Sequence, residues 1–102
     1  MKKLDDIDHI AIQVDDIKKS LDWYLKKFKC EEIYSDETWA FIKFRNTKLA
    51  LVTNSEHPPH FAILDNDLNT KDNKVVKHRD GSYSKYSKDL DGNFLEFIKY
   101  NK

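Results

Sequence analysis

Short apolar runs separated by polar turn residues occupy most of the chain, and the first of them alternates as a half-buried β-strand does. In the first run, 7–14, Ile10 and Ile12 point to one face while His9 and Ala11 point to the other. Aromatic and β-branched residues, with turn residues between the runs, predict further strands at 31–35, 38–44, 48–53, 60–64, 75–77, 83–88 and 94–100.

One segment has the period of a helix instead. Between residues 17 and 28, apolar side chains recur every three or four positions, which predicts an amphipathic helix of about three turns. Asp15 or Asp16 is placed to cap its first turn. Segment 65–73 is polar apart from Leu68 and predicts a loop or a single helical turn.

The order of these elements predicts a duplicated βαβββ module in the α+β class, with a shortened second helix. Pro58 and Pro59 interrupt the pattern between the halves, because proline fits neither a helix interior nor a central strand. We therefore expect a single domain over residues 1–102, with module one at about 5–54 and module two at about 59–102.

Composition narrows the range of partners. The 18 basic residues equal the 18 acidic ones, and no basic stripe is present, so nucleic acid and membrane surfaces are not expected partners. A single cysteine, Cys30, excludes an intrachain disulfide. The first residues lack the apolar run of a secretion signal, so we expect a cytoplasmic protein.

Three residues in the two modules form a candidate metal site. Each half opens on a histidine two residues before an alanine on the same face, namely His9 and His60. The final strand contributes Glu96. Two imidazoles and one carboxylate suit a single Mn²⁺, Fe²⁺, Zn²⁺, Co²⁺ or Ni²⁺ ion and leave positions open for water and substrate. No organic cofactor is predicted.

Other side chains are assigned from their context. Trp39 is a candidate either for the wall of a substrate cavity or for core packing, and Arg79 either attracts an anionic substrate or is a solvated surface charge. Leu95 and Phe97 are expected to face the core, opposite Glu96. His57 and His78 are expected in surface loops.

Two strings of residues resemble the vicinal-oxygen-chelate superfamily, which includes glyoxalases, bleomycin- and fosfomycin-resistance proteins and extradiol dioxygenases. The first string runs from His9 through Asp16 to the Trp23-Tyr24 pair. The second runs from Gly81 through Asp91-Gly92 to Glu96, with Leu90 in place of the usual proline. The resemblance covers nearly the whole chain and implies a curled mixed sheet around a metal cavity.

The resemblance also implies roles for individual residues. His9, His60 and Glu96 match three of the family's four metal-facing positions. The fourth is expected at Leu51, or at Ala50 if the register differs, and neither can bind metal. Glyoxalase I enzymes usually have a glutamate there, so its absence argues against that activity.

In the resembling fosfomycin-resistance and dioxygenase enzymes, a tyrosine precedes the metal glutamate by ten residues, and Tyr86 stands there. It could hydrogen-bond an oxygen at the metal or act as a general acid. Ser84 matches a phosphonate-binding serine of the fosfomycin group and is a candidate substrate ligand.

Two classes of function remain open at this point. The first is a metalloenzyme acting on a small oxygen-chelating substrate as a lyase, isomerase, thiol transferase or oxygenase. The alternative is a non-catalytic small-molecule binding protein of the bleomycin-resistance type. Short relatives form homodimers in which His9 comes from one chain and His60 and Glu96 from the other, and we expect a homodimer here.

Overall fold

The computed structural model describes residues 3–55 and 57–100, so both ends of the predicted 1–102 domain lie outside the described part. The chain divides into two compact units. The N-terminal unit is His9–Pro59, and the C-terminal unit combines residues 3–8 with residues 60–100.

The observed elements follow the predicted order, with ends that differ by at most one residue. They are β1 Ile7–Gln13, α1 Ile17–Lys27, β2 Glu31–Ser35, β3 Trp39–Lys43, β4 Lys48–Val52, β5 His60–Leu64, β6 Val76–Lys77, β7 Tyr83–Lys88 and β8 Phe94–Lys99. Among the described residues, no helix has both the length and the apolar character needed to cross a bilayer.

In the N-terminal unit, one helix covers a four-stranded sheet with the order β2-β3-β4-β1. Strands β1 and β4 are parallel, whereas β3 pairs antiparallel with both β2 and β4. The Asp16 carboxylate accepts a hydrogen bond from the Lys19 amide at 3.0 Å and so caps α1, as predicted. The helix packs on the sheet through a buried apolar core, formed by Ile17, Leu21, Ala40, Ile42 and Leu51.

The C-terminal unit repeats this arrangement without the helix. Its sheet has the order β6-β7-β8-β5, with β5 and β8 parallel and the other pairs antiparallel. A loop of turns occupies residues 65–75, and the 3.2 Å ion pair between Asp72 and Lys85 ties it to β7. The prediction of an α+β fold with paired modules is therefore confirmed, and the second helix, which was expected to be shortened, is replaced by the turns of residues 65–75.

Residues 3–8 belong to the C-terminal unit because they bond to its strands. The Leu64 amide donates to the Asp6 carbonyl at 3.0 Å. The Tyr100 hydroxyl donates to the Asp8 carboxylate at 2.5 Å. Burial, together with this hydrogen bond, raises the pKa of Tyr100 well above its usual range, so the phenol stays protonated as the donor.

One prediction about the faces of β8 is wrong. Leu95 and Phe97 were expected to face the core, but both are only partly buried, whereas Glu96 and Ile98 are each 4% exposed. The missing helix is the reason. The side of the sheet that α1 covers in the N-terminal unit has no helix in the described C-terminal unit, so its apolar side chains remain accessible.

Candidate metal centre

A buried imidazole–carboxylate pair lies at the centre of the C-terminal unit. His60 opens β5, and Glu96 lies on the parallel neighbour β8, level with Ala62. The Nε2 atom of His60 is 2.9 Å from Oε1 of Glu96, and the two side chains are only 3% and 5% exposed. A carboxylate so far removed from water requires a compensating partner, and the imidazole is one.

The spacing of this pair also suits a shared cation. Two ligand atoms at right angles, each about 2.1 Å from one metal ion, are about 3 Å apart. Imidazole nitrogen and carboxylate oxygen together suit the divalent transition metals. The His60–Glu96 pair therefore meets the distance and the chemistry that two ligands of one ion require.

The other carboxylate oxygen is held by a second histidine through a serine. The Ser84 hydroxyl donates a short hydrogen bond to Oε2 of Glu96. The Nε2 atom of His78 lies 2.8 Å from the Ser84 hydroxyl and 3.8 Å from Oε2 of Glu96. Both oxygens of Glu96 are thus engaged by protein groups, and Ser84 itself has no exposed surface.

Tyr86 lies beside this cluster. It pairs with Glu96 across the β7–β8 ladder. Its ring makes edge-to-face contacts with the imidazoles of His60 and His78, with centroid distances of 5.8 and 6.4 Å. A phenol in this position can donate or accept a proton next to the imidazole–carboxylate pair.

His9 lies on β1 in the N-terminal unit and is 5% exposed. Its ring meets the Phe41 ring edge to face at 5.1 Å. In the β1–β4 ladder it stands opposite Lys48, whose ammonium lies 4.9 Å from the centre of the Phe41 ring. His9 therefore lies near the start of β1, as predicted, and the structure adds that it is buried.

Comparison with known proteins identifies the family. Residues 6–97 match the sequence profile of the Glyoxalase/Bleomycin resistance protein/Dioxygenase superfamily. The chain belongs to this superfamily. The predicted resemblance to vicinal-oxygen-chelate proteins is therefore confirmed. No curated protein sequence matches the chain significantly.

Solved structures of distant sequences share the fold. A hypothetical protein from Bacillus halodurans is 19% identical, with 98% of this chain and 97% of that chain covered and a TM-score of 0.75. Methylmalonyl-CoA epimerase from Streptomyces coelicolor, in complex with 2-nitronate-propionyl-CoA, is 16% identical over 98% and 100% of the chains, with a TM-score of 0.79. The Mycobacterium tuberculosis epimerase is 13% identical over 94% and 88%, with a TM-score of 0.78.

The strand register of the two modules shows which residue of the N-terminal unit corresponds to Glu96 of the C-terminal unit. Ala62, two residues after His60, pairs with Glu96, and Ala11, two residues after His9, pairs with Ala50. Ala50 is therefore the counterpart of Glu96. The primary expectation of Leu51 is wrong, because Leu51 points into the core beneath α1, and the alternative Ala50 is the position indicated by the register.

The same comparison relates the aromatic neighbours of the two histidines. Phe41 pairs with Ala50 as Tyr86 pairs with Glu96. Each ring meets the histidine of its own unit edge to face. The C-terminal unit thus has a hydroxyl and a carboxylate where the N-terminal unit has hydrogen and methyl groups.

Two further predicted residues occupy equivalent positions. Trp39 pairs with Val52, and Ser84 pairs with Ile98, at matching places in the two ladders. Trp39 is partly buried, and its ring lies 5.6 Å from the Phe41 ring at an interplanar angle of 54°. Arg79 is exposed in the turn between β6 and β7. Roles of Trp39, Ser84 and Arg79 in substrate binding remain predictions.

His78 is the residue of this cluster that the sequence reasoning assigned to a surface loop. Its amide donates to the Ser82 carbonyl at 2.8 Å and so extends the β6–β7 ladder by one pair. Alternation then places His78, Ser82, Ser84 and Tyr86 on one face. The available signal was that these polar residues occupy every second position on both sides of Gly81. The strand before the turn, β6, has only two residues, so this alternation could not be recognised.

An open groove of about 660 Å³ lies elsewhere, in the N-terminal unit, and contains none of the candidate residues. Several carboxylates line it, including Asp16 and Asp36. Both already bind backbone amides, Asp16 at the start of α1 and Asp36 in the turn before β3. These two residues therefore have structural roles.

Proposed function

We propose that the protein is a divalent-metal-dependent enzyme that acts on a small substrate with adjacent oxygen atoms. In this proposal His9, His60 and Glu96 hold the ion. The observation that carries it is the buried His60–Glu96 pair, whose 2.9 Å separation suits two ligands of one cation. The superfamily membership and the matching position of His9 in the other module support the third ligand.

A bound divalent ion supplies a Lewis acid that polarises a substrate oxygen and stabilises negative charge as it develops. The chain's own groups do the rest. Tyr86, in edge contact with His60, is placed to hydrogen-bond the substrate or to deliver a proton as a general acid. Arg79 attracts anionic substrates from its exposed turn, and Trp39 contributes an aromatic wall.

Isomerisation at a carbon next to a carbonyl is the reaction class to test first. Two of the structural neighbours reported above are methylmalonyl-CoA epimerases, which supports this choice. Authentic glyoxalase I activity is disfavoured because Ala50 occupies the counterpart of the glutamate position. A CoA thioester is accordingly the first substrate to test.

Metal analysis tests this proposal most directly. Protein purified without chelators and reconstituted with Mn²⁺, Co²⁺, Ni²⁺ or Zn²⁺ is expected to retain about one ion per chain. Glu96→Gln keeps the shape of the side chain but removes its charge, so we expect at least a 100-fold weaker Kd. Glu31→Gln, on exposed β2, is the matched control and should bind like the wild type.

Loaded protein is then assayed for deuterium uptake at the α-carbon of methylmalonyl-CoA. Methylglyoxal hemithioacetal, fosfomycin with thiols, and catechols are tested in parallel. Wild-type protein that retains far less than one ion per chain would overturn the metalloenzyme. It would leave the non-catalytic binding protein of the bleomycin-resistance type as the better description.

A further inference from the structure

His78 and Ser84 form a hydrogen-bonded chain that ends on Glu96 within the C-terminal unit. We infer that this chain is a positioning relay, which fixes the Glu96 carboxylate so that Oε1 faces the cation. The inference rests on the proposed metal site. His78 and Ser84 then influence metal affinity through Glu96 and do not contact the ion themselves.

The direction of the hydrogen bonds follows from the chemistry of the three groups. An ionised carboxylate only accepts, and a serine hydroxyl has one proton to donate. Since that proton goes to Oε2 of Glu96, the Nε2 atom of His78 must carry a hydrogen and donate it to the serine oxygen. The relay therefore fixes the tautomer of His78, with hydrogen on Nε2.

The two oxygens of Glu96 consequently have different roles. Ser84 occupies Oε2, while Oε1 lies 2.9 Å from Nε2 of His60. A hydrogen bond to the carboxylate oxygen that does not contact the metal restricts rotation of the carboxylate. Losing such a partner typically weakens metal binding 10- to 100-fold. Ser84 is fully buried, so water has no ready access to replace it. His78 is 25% exposed at its side chain, and water can partly replace it.

Cobalt(II) titration of the full chain, followed by calorimetry and visible absorption, tests the relay. We expect Ser84→Ala to raise the Kd by about 10-fold or more and His78→Ala to raise it by less. His78→Gln retains an N–H donor and should recover part of the loss. Because the two residues act in series, the double variant should bind no more weakly than Ser84→Ala alone.

Ser87→Ala, at an exposed position of the same strand, is the matched control and should leave the Kd unchanged. A second measurement, nitrogen NMR of the imidazoles in the metal-free protein, should show hydrogen on Nε2 of His78. Wild-type affinity in Ser84→Ala, or losses that multiply in the double variant, would overturn the relay. A larger loss in His78→Ala than in Ser84→Ala, without recovery in His78→Gln, would make His78 a direct ligand instead.

These outcomes separate the two proposals. A wild-type chain without affinity for cobalt(II) overturns the metal site, and the relay's role with it. A wild-type chain that binds cobalt(II) as tightly as Ser84→Ala does overturns the relay alone.

Discussion

At the scale of single residues, the Tyr86 hydroxyl is the group that separates binding from catalysis. We expect Tyr86→Phe to lower kcat by about 100-fold or more, because the variant loses a general acid but keeps its ring against His60. The Kd for the cation should change less than about twofold, since Tyr86 is not a proposed ligand. Steady-state kinetics and metal titration on the same preparations measure both quantities.

The control for this substitution is Tyr83→Phe, which removes a hydroxyl from the same strand but from the opposite face. Tyr83 pairs with Lys99 and precedes Ser84 by one residue, so its side chain lies on the face opposite to Ser84 and Tyr86. An unchanged kcat in Tyr86→Phe would show that the phenol only packs against the sheet. A large loss in Tyr83→Phe would show that the effect is not specific to the proposed site.

At the scale of elements, the turn that leads into β3 depends on one ionised carboxylate. Asp36 accepts hydrogen bonds from the Thr38 and Trp39 amides at 2.8 and 3.0 Å, and from the Tyr34 hydroxyl at 2.7 Å. Burial is the largest single influence and by itself would raise the pKa of Asp36, but these hydrogen bonds together outweigh it and lower the pKa from 3.8 to about 2. The folded state therefore favours the ionised form.

The sign of the pH dependence follows from this shift. A depressed pKa in the folded state contributes stability that is fully present above pH 3.8 and is lost as the pH falls through about 2. At pH 6 we expect Asp36→Asn to lower the free energy of unfolding by about 1 kcal/mol, a value that allows for solvent screening. The gap should close near pH 2. Urea unfolding of the wild type and Asp36→Asn at pH 6 and pH 2 measures this difference, and Glu37→Gln controls for the loss of a negative charge. An equal difference in free energy at the two pH values would refute this role of Asp36.

The elements were predictable because the apolar runs are short and bounded by turn residues, and because the two modules repeat the same order. The failures occur where alternation fails. Leu49, Ala50, Leu51 and Val52 are all apolar, so the sequence could not tell which of them shares a face with His9. Phe94, Leu95, Phe97 and Ile98 surround Glu96 on both faces in the same way. Only the paired register resolved both cases.

The candidate site shows the same division. His9, His60 and Glu96 could be proposed from the sequence because each lies on a strand with a recognisable start or end. His78 could not, because it follows a strand of two residues and precedes a turn at Asp80-Gly81 that resembles a surface loop. Its role depends on a hydrogen bond to Ser84, six residues away, which the hairpin register creates.

At the scale of the whole molecule, the remaining question is which chain completes the site. The proposed ligands come from different units, since His9 belongs to the N-terminal unit and His60 and Glu96 to the C-terminal unit. We propose a homodimer in which these units are exchanged, because a chain of this size has a thin core and gains from a large interface. Sedimentation at micromolar concentration should then show a dimer.

Complementation tests the shared site itself. His9→Ala and Glu96→Gln are each expected to bind the ion too weakly to retain it at the wild-type working concentration, so a mixture that is unfolded and refolded together is the informative sample. If sites are shared, about half of the dimers are mixed and each has one intact site, so capacity recovers to about a quarter of the wild-type value. If each chain completes its own site, both chains of every mixed dimer keep one defect and no capacity returns. Refolded wild type and each variant refolded alone give the upper and lower limits of metal-binding capacity. A monomer in sedimentation would contradict the exchange of units directly.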